Sequence, residues 1–257
     1  MKQGDFSQMA QFYHNRPGYD ETLVTYILKC AGFDAKASFD IADVGAGTGK
    51  LTQILRNIAL KANITAIEPN EQMREHGKQS VQNVSWLEGS AENTGLKDNS
   101  QDIIFMASSF HWARPEIALP EFARALKDNG LFCAIWNPRE LEAGSIFAQI
   151  EDEIKAMLPS LERVSSGTQH NKNYTQILQS TGDFKNCVYM ECDYSETMSK
   201  ERYMGIWHSV NDIQAQAIKQ GGQKLWEQIL KMIEDKIAPL NEIVAKYKIK
   251  AYIVQKG

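Results

Sequence analysis

Residues 39–49, FDIADVGAGTG, constrain the fold of this chain more than any other stretch, and ITAIE at 64–68 follows closely behind them. Apolar, β-favouring residues run into Asp43, three alternating glycines follow at 45, 47 and 49, and KLTQILR then has helical character. Strand, glycine turn and helix form the opening of a nucleoside-binding βαβ unit. The second strand ends in an acid, Glu68, where a ribose would lie across the carboxyl ends of a parallel sheet. An ionised carboxylate has two acceptor oxygens for the two ribose hydroxyls.

The glycine spacing discriminates between cofactors. Dinucleotide enzymes favour G-x-G-x-x-G, with the pyrophosphate on the helix N-terminus. Here the pattern is G-x-G-x-G, and Asp43 stands two residues before the first glycine. A carboxylate there repels a pyrophosphate and attracts a cationic, amino-bearing group such as the methionine part of S-adenosylmethionine (SAM). Gly45 and Gly47 allow a tight turn and close backbone approach to a ligand.

On these residues the sequence resembles the class I SAM-dependent methyltransferases. DVGAGTG at 43–49 is similar to their first motif and EPN at 68–70 to their second. EGSAE at 88–92 resembles the stretch that meets the adenine, and QDIIFMA at 101–107 the fourth strand. SFHW at 109–112, the segments 118–126 and 129–137, and both chain ends resemble the trans-aconitate-methyltransferase-like, small-molecule branch. The resemblance implies a cofactor site of Tyr13, Arg16, Asp43, Gly45, Ala46, Gly47, Glu68, Pro69, Met73, Ser90, Ala91 and Ser108. Asp43 is expected to act through a water or an amide, Met73 against the adenine face, and Arg16 on the cofactor carboxylate. Family members often carry an acid where Ser90 stands, so this chain departs from the pattern there.

On the acceptor side, His111, Trp112, Trp136 and Trp207 are the candidate substrate-binding residues. His111 is the candidate proton acceptor, with a loop-holding structural role as the alternative. No triad, Walker or paired-carboxylate pattern occurs in a fitting context. Methyl transfer does not need one, because SAM is itself an activated sulfonium electrophile and in-line positioning supplies much of the rate.

The alternation of strands near 39–44, 63–67, 83–88, 102–107 and 131–136 with helices near 49–60, 70–80 and 115–128 predicts an α/β fold. Further strands at 187–194 and 249–254 complete a doubly wound, Rossmann-like, seven-stranded, mostly parallel sheet with helices on both faces. A single domain over 1–257 is expected, with 39–137 as the SAM-binding core and 1–38, 138–182 and 198–240 as a helical cap. Residues 165–173 read as a polar loop, and His170 within it has no partner at metal-ligand spacing.

The net charge of −4 gives no basic excess for a phosphate backbone, which argues against nucleic-acid partners. No apolar run approaches the ~20 residues of a membrane span, and the first residues lack a signal-peptide core. Four cysteines without metal-ligand spacing fit a reduced, cytoplasmic setting. The expectation is a monomeric or homodimeric methyltransferase that moves a methyl group from SAM to an O, N or C nucleophile of a small molecule, with S-adenosylhomocysteine as product and no metal. The alternatives are an NAD(P)-dependent oxidoreductase, a non-catalytic SAM-binding regulatory protein, and a methyltransferase acting on a protein or tRNA. The charge balance speaks against tRNA.

Overall fold

The computed structural model describes residues 10–33, 38–162 and 173–257. His170 and nearly all of the 165–173 loop lie outside the described residues, as do residues 1–9 and 34–37.

Seven strands form one sheet in the order β3-β2-β1-β4-β5-β7-β6. They are β1 (Asp40–Val44), β2 (Asn63–Ile67), β3 (Ser85–Leu87), β4 (Gln101–Ala107), β5 (Leu126–Trp136), β6 (Phe184–Met198) and β7 (Ile243–Lys256). β1 pairs in parallel with β2 and β4, β2 with β3, and β4 with β5. β7 is antiparallel to β5. The sheet is therefore doubly wound and mostly parallel, as the alternation predicts. β1 and β4 are buried almost throughout, as strands covered on both faces of a sheet are. The reversal of winding between β1 and β4 opens a crevice at their carboxyl ends, where α/β sheets bind ligands.

The helices are α1 (Ala10–Tyr13), α2 (Glu21–Cys30), α3 (Lys50–Ile58), α4 (Glu71–Ser80), α5 (Pro115–Ala125), α6 (Ile146–Met157), α7 (Tyr174–Leu178), α8 (Lys200–His208) and α9 (Asn211–Ile237). Several starts are legible as caps: the side chains of Asp20, Asn70, Ser145 and Ser199 each accept from the backbone N–H three residues on. α5 ends at Ala125, three residues before its expected limit, because the chain passes directly into β5 at Leu126. β6 and β7 extend several residues beyond the expected bounds. α9 is interrupted at Gly222, whose φ of 73° no helix admits.

The chain forms two compact units. One comprises Gly18–Asn137, Asn171–Cys192 and Ile249–Gly257, and holds the core of the sheet. Its interior is built from Ile41, Val44, Ile67, Ile104, Phe122 and Phe132, each with almost no exposed surface. The other comprises Met1–Pro17, Pro138–His170 and Asp193–Lys248 and is mainly helical. There α8 and α6 pack against α9 around Ile154, Tyr203, Trp207, Ile213, Trp226 and Ile233. The first unit thus takes in 18–38 and 171–182, segments expected in the cap.

Candidate cofactor and acceptor site

The glycine turn is pinned to the neighbouring strand. The amides of Gly45 and Ala46 both donate to the carbonyl of Ile67 at the end of β2, at 2.8 and 3.1 Å. Gly45, Gly47 and Gly49 all have positive φ, so side chains are strained at these positions. Gly45 is also confined sterically. A Cβ there would lie 2.8 Å from Ser109 Cβ. The loop after β4 thus closes directly onto the turn, and Ser109 Oγ donates to the carbonyl of Val44 at 3.2 Å.

Glu68 stitches the turn to the second strand. Its Oε2 accepts from Gly47 N–H at 2.8 Å and its Oε1 from Asn70 N–H at 2.9 Å. Each oxygen keeps a second acceptor position. Burial raises the Glu68 carboxyl above its ordinary range, while the two amides and Arg74 oppose that shift. Arg74 donates to the Glu68 carbonyl at 2.8 Å and pairs with Glu88 at 3.2 Å. Pro69 is exposed beside it, and Met73 is buried behind the turn. Met73 Cε lies 3.6 Å from the point a Gly47 Cβ would occupy.

Asp43 is wholly buried. Its Oδ2 accepts from Thr52 Oγ1 at 2.6 Å, and its Oδ1 has no hydrogen-bond partner. Its carboxyl is pushed up to about 7, chiefly by burial. The Thr52 hydroxyl offsets part of this rise, and the neighbouring Glu68 charge adds to it. An orphaned buried acceptor beside a glycine cradle fits a ligand that carries a cationic or donor group. It does not fit a pyrophosphate.

Ser90 and Ala91, expected beside an adenine, lie in a tight loop. Ser90 and Asn93 exchange backbone hydrogen bonds at 3.0 and 3.2 Å. The Ser90 hydroxyl is engaged with Glu92, whose carboxylate also accepts from Arg114 N–H at 2.9 Å. Ala91 is buried in the sheet core.

At the ends of β4 and β5 a second set of groups converges. Ser108 has φ of 50°, a strained value for a serine. Its amide is held by Ile135 O and its hydroxyl pairs with Tyr19 Oη, both at 2.8 Å. Asn137 Nδ2 donates to Gly18 O, and its Oδ1 is buried without a partner. His111 sits in the 3-10 turn Phe110–Trp112, and its Nδ1 accepts from Trp136 Nε1 at 3.3 Å. Trp136 is buried, its ring centre 4.3 Å from that of Tyr174 in a tilted pair, whereas Trp112 is 43% exposed.

The remaining expected residues belong to the helical unit. Arg16 donates to Ser209 Oγ at 2.6 Å and Ser209 O at 2.8 Å and lies over the Tyr13 ring. Trp207 is buried in that unit's core, with the Arg139 guanidinium 4.8 Å from its ring centre. The structure therefore gathers Asp43, Gly45, Ala46, Gly47, Glu68 and Met73 in one place and Ser108, His111 and Trp136 beside the next strand ends. Ser109, expected with Ser108 near the sulfonium, joins them, and Thr52, Tyr19 and Asn137 also take part without being among the expected site residues. For Thr52 the signal was present: a hydroxyl on the first turn of the helix after the glycines, on its buried face. Among the described residues no three His, Cys, Asp or Glu side chains come together as metal ligands.

Residues 42–134 match the methyltransferase domain family. The matched span runs from the strand before the glycine turn through β5. An uncharacterized methyltransferase of Mycobacterium tuberculosis is 29% identical over 178 residues, covering 67% of this chain and 70% of that protein. A proposed type II methyltransferase of Anaeromyxobacter dehalogenans has a similar structure, with a TM-score of 0.66 at 18% identity, covering 93% of this chain and 97% of that one. A phosphoethanolamine N-methyltransferase of Haemonchus contortus, solved with phosphomonomethylethanolamine and S-adenosylhomocysteine, aligns with a TM-score of 0.52 at 13% identity. That alignment covers 95% of this chain and 56% of the other. The structural likenesses establish the fold. The family match adds that residues 42–134 are similar to a methyltransferase domain.

Proposed function

We propose that this protein transfers the methyl group of SAM to an O, N or C nucleophile of a small molecule, releasing S-adenosylhomocysteine. The observation that carries the reading is the arrangement of Asp43, the glycine turn and Glu68 at the carboxyl ends of β1 and β2. The turn carries glycines at 45, 47 and 49, Glu68 retains acceptor capacity toward a ribose, and buried Asp43 keeps an unpartnered carboxyl oxygen beside the turn. Met73, Ser90 and Ala91 are the side chains assigned to the adenine, and Pro69 borders the ribose. Tyr13 and Arg16 are assigned to the methionine end.

Bound SAM supplies an electrophilic methyl carbon: the acceptor's lone pair forms the new bond as the carbon–sulfur bond breaks toward sulfur. The chain's own contribution is to hold the partners in line and exclude water. Ser108, held in a strained conformation by Tyr19 and Ile135, is assigned to the reacting end of the cofactor. His111, Trp112 and Trp136 are assigned to the acceptor, and Trp207 to a supporting position in the helical unit. A small acceptor is favoured by the absence of a basic excess in the composition. Among the described residues no helix is long and apolar enough to cross a membrane, and the four cysteines are free thiols. These features agree with our reading of a cytoplasmic enzyme, as a monomer or a homodimer.

The test is formation of S-adenosylhomocysteine from SAM in the presence of panels of small carboxylic acids, amines and phenols. Turnover with one class identifies the acceptor chemistry. Tight SAM binding with no turnover on any panel, but methylation of protein in an extract, would replace the small-molecule reading.

A further inference from the structure

The geometry points to Trp136 as a positioning residue that holds His111 in its Nε2–H tautomer, so that His111 is a hydrogen-bond donor and not the proton acceptor of the reaction. The indole N–H of Trp136 can only donate. It meets Nδ1 of His111 at 3.3 Å, so Nδ1 supplies the lone pair. A neutral imidazole has one protonated nitrogen and one acceptor, and the proton therefore resides on Nε2. Trp136 has little freedom to release this bond. It is buried at the end of β5, and its ring is packed on Tyr174 and Tyr252. For His111 to take a proton, Nδ1 would have to carry an N–H pointing at the N–H of Trp136.

This inference rests on the methyltransferase reading for its chemical consequence. An acceptor that gives no proton to His111 must arrive with its lone pair available, as a carboxylate, an unprotonated amine or a stabilised carbanion. Alcohols that need a base fall outside that class. His111 would then steady the acceptor or its loop by donation.

Correlation spectra linking imidazole nitrogens to ring protons in the ¹⁵N-labelled, ligand-free protein at neutral pH test the tautomer directly. The chain has five histidines, and the signals lost in His111→Gln identify the relevant one. The expected result is an unprotonated Nδ1 and a protonated Nε2, with the pattern shifting toward a tautomer mixture in Trp136→Phe. A protonated Nδ1 in the unmutated protein, or the same pattern in a folded Trp136→Phe, would overturn the proposal. Should Trp136→Phe fail to fold, the unmutated protein alone decides, through the protonation state of Nδ1. Titration of the same sample with SAM separates the two readings: the Nε2–H tautomer without SAM binding would retain Trp136's role and remove the proposed function.

Discussion

Asp43 and Glu68 are acids beside the same turn in space, yet the structure gives them different tasks. Glu68 is held by two backbone amides. Glutamine offers one acceptor oxygen in place of two, so Glu68→Gln sets an amide NH2 against one of those N–H groups. Its SAM affinity should fall about tenfold, the scale of one hydrogen bond to a charged group, as calorimetry would register. Asp43 has a different signature. Its folded carboxyl titrates near 7 against an ordinary value of 3.8. The folded state therefore binds the proton more tightly than the unfolded state. The associated stabilisation is full below the ordinary value and is lost as pH rises through about 7. Urea unfolding of the ligand-free protein should show the unmutated chain losing stability relative to Asp43→Asn between pH 4 and pH 7. Equal slopes for the two proteins would contradict the burial of an unpaired Oδ1. At Gly45, alanine meets both a φ of 69° and the Ser109 Cβ. Gly45→Ala should cost about 1–3 kcal/mol in the same assay.

At the scale of elements, the legible part of the fold is the part governed by local pattern. Continuous apolar runs bounded by caps and glycines identified β1, β2, β4 and β5, because a sheet covered on both faces needs such runs. The starts of α4 and α2 are local too: Asn70 and Asp20 accept from the backbone N–H three residues on. The contacts that were not legible join distant residues. Tyr19 with Ser108 and Gly18 with Asn137 are set by tertiary packing, and no spacing rule encodes them. The kink of α9 also escaped, although Gly221 and Gly222 stand together at its middle, because the amphipathic pattern runs on across it. Gly77 shows how packing overrides propensity. In the interior of α4, alanine would ordinarily gain about 1 kcal/mol. Here an added Cβ runs into the Trp86 ring. Gly77→Ala should instead lower stability by about 1–3 kcal/mol, the range for overpacking, as a shift in the urea midpoint would reveal.

At the scale of the molecule, two cores do separate work. The sheet unit carries the glycine turn, both strand-end acids and His111, whereas the helical unit is organised around a largely buried ion pair. Arg139 pairs with Glu151, donates to Tyr203 Oη at 3.4 Å and covers Trp207. Removing one partner of a buried pair costs about 3–5 kcal/mol. Arg139→Ala should therefore reduce hydrogen-exchange protection in α8 and α9 while leaving β1 and β4 protected. Uniform loss of protection would show that the two cores unfold as one. Cofactor binding is assigned to the sheet unit. Its most direct test is parallel calorimetric titration of the protein with SAM, S-adenosylhomocysteine and NADH. Both sulfur nucleosides should bind, more weakly to Glu68→Gln, and NADH should not. Preference for NADH, or a folded protein that binds none of the three, would contradict it.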